Sequence, residues 1–139
     1  MSITLDQAQS VATAAFAEAA KVDLTVMSLV ITDTGGHIRL ALRSDAQGTF
    51  GIDTALGKAR TALGFNRSSL FLSKVFTDPC GVAALSGATD GAFTPLGGGV
   101  VVQRDGATVG AAAISGGLPD VDDAIIRAAL AACGFTALA

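Results

Sequence analysis

The chain has no tryptophan and no tyrosine, and a single histidine, His37, among 139 residues. A structural zinc site built from a His and Cys set is therefore excluded. Any serine hydrolase triad would have His37 as its one imidazole base. The two cysteines, Cys80 and Cys133, are far apart and form neither a CxxC pair nor a disulfide framework. Charge is scarce as well: 15% of residues are Asp, Glu, Lys or Arg, against about 25% in typical proteins. No basic run is present and the formal net charge is −3, so nucleic-acid and anionic-lipid surfaces are excluded as partners. No apolar run is free of charge over a membrane-spanning length. The C-terminal apolar stretch carries Arg127 and opens on Asp120, Asp122 and Asp123. The N-terminus, MSITLDQAQ, lacks the basic and apolar regions of a leader, which points to a cytoplasmic protein.

What the chain has is apolar content: half of its residues, with 17 glycines. That length and composition predict one folded domain over residues 1–139. A surface so poor in charge predicts burial against further copies, in a homo-oligomer.

Thr4 to Gln7 (TLDQ) fits a capping box. Leu5, Ala8, Val11, Ala12, Ala15, Phe16 and Ala19 then recur at helical spacing, which predicts a helix from Leu5 to Lys21. Val26 to Thr32 is rich in β-branched residues and reads as a strand. Asp33 to Gly36 reads as a turn, and His37 to Leu42 as the returning strand. Ile52, Ala55, Leu56, Ala59, Ala62 and Leu63 share one face of a second helix, ended by Gly64. A short third helix follows around Leu70 to Val75, and Thr77 to Gly99 reads as a long loop. Gly99–Gln103 and Ala107–Ser115 form a hairpin about Asp105-Gly106. Pro119 and three aspartates open the last helix. The order α-β-β-α-α-β-β-α suits an α+β domain, an antiparallel sheet flanked by helices.

Three stretches resemble the GlcG/HbpS-like family: VITDTGGHIRLALRSDAQG, IDTALGKARTALGFNRSS and GGGVVVQRDGATVGAAAISGGLPDVDD. The resemblance spans about Leu5 to Cys133. It implies a profilin-like layered fold and symmetric, even-numbered oligomers from dimer to octamer. It also implies kinship with the C-terminal domain of the PduO adenosyltransferases, and haem as a cofactor for some members. The sequence departs from the family pattern at Val100-Val101, where a proline is usual, at Ser44 to Gln47, and at Leu118.

Lys58 shares a half-polar helix face with Thr54, Thr61 and Phe65. It could hold an anionic ligand, work as an amine, or form a structural ion pair at a subunit interface. Arg43 and Asp45 sit at a strand end. Either Arg43 binds a ligand carboxylate or the two pair with each other. Gly98 and Gly99 could admit a ligand to the backbone, or could form a tight strand entry against a helix. His37 is a general-base or haem-iron candidate, set against an inert hairpin residue. Cys80 is a nucleophile or soft-ligand candidate, set against an idle loop thiol. The resemblance and these residues together predict a small-molecule-binding protein whose ligand is carboxylate-bearing or planar, haem or a catabolic intermediate. Its pocket is made by the Lys58 helix, the long loop and an adjoining subunit, with Lys58, Arg43, Thr61, Gly98 and Gly99 as its contacts. Two alternatives stand beside it. One is a small lyase, isomerase or hydrolase using Lys58 and Arg43 in an inter-subunit pocket, with Asp45, His37 and Cys80 as further catalytic candidates. The other is an accessory subunit of a catabolic enzyme.

Overall fold

The computed structural model describes all of residues 1–139. Helix α1 (Leu5–Lys21) starts at the capping box. The Gln7 amide donates to Thr4 Oγ1 at 3.2 Å, and the Thr4 amide donates to Gln7 Oε1 at 2.9 Å. Its stripe of Ala8, Val11, Ala12, Ala15 and Ala19 is buried. Strands β1 (Ser28–Thr32) and β2 (Ile38–Arg43) form the first hairpin. Helices α2 (Phe50–Phe65), α3 (Ser69–Val75) and α4 (Pro79–Ala88) follow, then strands β3 (Gly99–Arg104) and β4 (Ala107–Ser115). Helix α5 (Pro119–Ala132) and a two-residue strand β5 (Thr136–Ala137) complete the chain.

The five strands form one antiparallel sheet in the order β2-β1-β4-β3-β5. Helices α1 and α5 cover one face, over a core that includes Leu29, Ile31, Val100, Val102, Ile114 and Ile126. Helix α2 lies on the other face, where Ala55 and Ala59 meet Val30, Ala111 and Ala113. Both sides of that second contact are built from small residues, so α2 rides close to the strands. The approach is tightest at Gly99, where any Cβ would run into the backbone of Lys58. The β3–β4 turn has Asp105 at φ 52° and Gly106 at φ 78°, the two left-handed residues that a type I′ hairpin requires.

The helices and strands follow the predicted order, with three differences. The stretch read as one long loop contains α4. Asp78 caps it, accepting from the Cys80 and Gly81 amides, and Pro79 occupies the first turn, where its missing N–H costs nothing. Gly64 does not end α2. The helix runs on to Phe65, and Asn66 takes the left-handed C-cap at φ 54°. Strand β5 is too short to leave a periodic signal and forms by pairing with the edge of β3.

Candidate functional site

Two stripes of α2, one residue apart, have different surroundings. The first carries Lys58. Its ammonium is 5% exposed and donates to the Ile114 carbonyl at 2.9 Å and to Asp122 Oδ2 at 3.2 Å. Asp122, in the first turn of α5, is itself buried and also accepts from the Gly117 amide at 2.8 Å. Burial pushes the Lys58 ammonium below its usual range, and the Asp122 charge opposes that shift. Burial likewise pushes the Asp122 carboxyl up, against the pull of Lys58 and the Gly117 amide. The pair ties α2 to β4 and α5 within one subunit, so the subunit-interface form of the ion-pair reading is corrected to an internal pair. A Cβ on Gly98 would meet Ile114 O, Asp122 Cβ and Lys58 Nζ within 3.1 Å. Gly98 and Gly99 therefore pack backbone against this knot, and the strand-entry reading describes them. Lys58, Gly98 and Gly99 line none of the cavities within the subunit.

The second stripe is Asp53, Gly57, Arg60 and Gly64, at i, i+4, i+7 and i+11. It faces the connector that follows α4, and the connector is pinned to α2 by Thr61. The Thr94 amide donates to Thr61 Oγ1 at 2.7 Å, and that hydroxyl donates to the Ala92 carbonyl at 3.3 Å. Gly57 lets the connector lie flat, since a Cβ there would strike the Thr94 hydroxyl. Thr61 thus shapes the site, with its own hydrogen-bonding capacity committed to the connector.

Two adjoining cavities open along this stripe and meet at Arg60, Thr89 and Ala92. One, of about 290 Å³, is polar and includes Asp53 and Asp90. The other, of about 250 Å³, has Gly64, Phe65 and Phe93 in its wall. Phe93 is buried and sits in an aromatic cluster, 5.3 Å from Phe65 and 5.4 Å from Phe76 between ring centroids. Arg60 stands between the two. Its Nε donates to the Gly36 carbonyl at 3.1 Å, which fixes the guanidinium plane. Neither terminal nitrogen has a partner within the protein. A guanidinium so held offers a fork for a carboxylate.

The remaining predicted residues lie outside this cleft. Arg43 is exposed and donates to the Gln47 carbonyl at 3.1 Å, and Asp45 is exposed and unpaired, so the Arg43–Asp45 pair does not form. His37 is exposed, its Nδ1 3.3 Å from Asp33 Oδ1. Cys80 is exposed on α4, and Cys133, half-buried at the end of α5, has its thiol pushed up by burial. Phe65 shares the predicted Lys58 face, whereas Arg60, Gly64 and Phe93 carry no site signal of their own in the sequence. Their one trace in the sequence is the polar stripe at 53, 57 and 60, offset from the apolar face of α2. Phe93 reaches them only through the tertiary fold.

An antiparallel sheet between helix layers, with a cleft holding Arg60, Asp53 and Asp90 beside the connector, defines a small layered α+β domain. The chain belongs to the family described as haem degrading protein HbpS-like, whose sequence profile matches residues 3–131. Among solved structures it is similar to a PduOC–haem complex, with TM-score 0.88 and 24% identity over all of both chains. It is similar to a double mutant of HbpS from Streptomyces reticuli, with TM-score 0.79 and 30% identity, over 95% of this chain and 87% of that one. Protein ORFY of Klebsiella pneumoniae gives TM-score 0.85 and 24% identity, over 94% and 90% of the two chains. No curated protein matches. No helix is long and apolar enough to cross a membrane.

Proposed function

We propose that this chain is a small-molecule-binding protein that takes a carboxylate-bearing ligand in the cleft between α2 and the 89–94 connector. Arg60 is the anion anchor. The observation that carries the reading is its guanidinium, oriented by Gly36 with both terminal nitrogens free above a cavity. Lys58, the cation singled out in the sequence, supports the site from behind by fixing α2. Binding is favoured over lyase, isomerase or hydrolase chemistry because Lys58, His37 and Cys80 all stand outside the cleft lining.

Haem is the ligand named for one relative, and its fit here depends on an axial donor. None of the three cavities has His, Cys, Met or Tyr in its wall. Haem therefore has no axial donor in the cavities of a single subunit. The working form is an even-numbered homo-oligomer. This is supported by α4, which has no charged residue and buries none of its side chains within the subunit, and by exposed Phe50 and Leu118.

A thermal-shift screen of small carboxylates and their amides tests the reading. A carboxylate at about 100 times its Kd adds about 2.7 kcal/mol to stability. Arg60→Met is expected to abolish that gain. Equal shifts in wild type and Arg60→Met would overturn the assignment.

A further inference from the structure

Gly64 has no conformational reason to be glycine. It lies inside α2, its φ is negative, and Asn66 already supplies the left-handed C-cap. Glycine is the poorest helix former after proline. Packing does not demand it either, because a Cβ at Gly64 would meet nothing within 4 Å. That contrasts with Gly57, two stripe positions earlier, where a Cβ would collide with Thr94. What the missing side chain does at position 64 is leave the cavity beside Phe65 and Phe93 open.

From this we infer that the cavity at Gly64 takes the flat, unsaturated body of a monocarboxylate, with the carboxylate on Arg60. The inference rests on the binding function proposed for Arg60 and adds the class of ligand. Three features converge on it. The Phe65 and Phe93 rings, tilted at 55°, offer the edge and face contacts that planar unsaturated groups prefer. The cavity volume of about 250 Å³ suits one small ring or a short conjugated chain. Asp53 and Asp90 make the neighbouring polar cavity a poor place for a second carboxylate, and the cavity at Gly64 has no cation besides Arg60 to hold one, which selects against dicarboxylates.

The test uses trans-cinnamate, cinnamamide, hexanoate and a dicarboxylate, 4-carboxycinnamate, titrated into the full chain. Binding is read by calorimetry and by amide shifts of Gly64, Phe65 and Phe93. Cinnamate is expected to bind at least tenfold more tightly than each of the other three, and to lose at least tenfold in Arg60→Met. Gly64→Leu fills the cavity from a position with room for the side chain. It is expected to abolish cinnamate binding while the melting temperature stays level or rises. Cinnamate and hexanoate binding equally, both dependent on Arg60, would overturn the unsaturated class and leave the Arg60 function standing. Cinnamate binding unchanged in Gly64→Leu would overturn the cavity assignment. Binding of no carboxylate, or binding indifferent to Arg60→Met, would overturn the inference together with the function on which it rests.

Discussion

Replacing Lys58 with methionine separates the structural account of this residue from a ligand-binding one. The substitution preserves much of the aliphatic stem and removes the ammonium. It leaves Asp122, 1% exposed, with the Gly117 amide but without its counter-charge, and it removes a donor from Ile114 O. Removing one member of a buried ion pair typically costs about 3–5 kcal/mol, out of a total stability of about 5–15 kcal/mol. For a domain of this length 1 kcal/mol corresponds to about 4 °C in Tm, so Lys58→Met is expected to melt roughly 12–20 °C below wild type. The double substitution Lys58→Met with Asp122→Leu removes both charges, and replacing a buried pair with apolar groups is often close to neutral. The double variant should therefore be more stable than Lys58→Met alone, an interaction that a double-mutant cycle in urea measures directly. Ligand-free calorimetry reads the melting temperatures. A Lys58→Met variant that melts within about 2 °C of wild type, well inside the shift expected from 1 kcal/mol, would refute the buried pair. If that variant also lost ligand binding, the ammonium would belong to the ligand site.

The Asp33 carboxyl is held below its ordinary value of 3.8, chiefly by the His37 backbone amide, with the Gly35 amide adding to it. Its contribution to the first hairpin is therefore fully present above pH 3.8 and is lost as pH falls through the lower, folded-state value. A carboxyl titration by NMR should place the Asp33 midpoint under 3.8, and a midpoint above it would contradict the turn geometry. Titration with hemin should give only a broad Soret change that His37→Ala hardly alters. A sharp band at one haem per subunit, abolished by that substitution, would restore an axial role for His37. Light scattering should report a mass above the 13.7 kDa monomer, and Val82→Asp on α4 should lower it. A monomeric wild type at micromolar concentration would remove α4 as an interface.

Local signals carried most of the fold. The capping box at Thr4, the β-branched run of β1 and the Asp105-Gly106 turn each act within a few residues, so the sequence displays them directly. Helix α4 is hard to read because its apolar and small residues show no sidedness, as expected of a helix that fully buries none of its residues within its own subunit. Lys58 stood out as a charge on a helix face. Its partner Asp122 is 64 residues away, and the first-turn dipole already accounted for that aspartate. The cleft was the least legible part. Arg60 is one of several exposed arginines until the fold brings Gly36 to one side of it and the connector to the other.

The one-residue offset between the two stripes of α2 makes helix register the variable on which the stability of the fold and the proposed choice of ligand both depend. Each residue turns the helix by about 100°. A single insertion between Phe50 and Lys58 would swing Lys58 off Asp122 and turn the Arg60 stripe away from the connector, losing both at once. Point changes behave differently. Arg60 and Gly64 are exposed, where substitutions usually shift stability by no more than about 0.5 kcal/mol. The proposed affinity at the cleft can therefore be redesigned residue by residue at 53, 60 and 64, with Gly57 held fixed, while 58, 61 and their partners keep the helix in place.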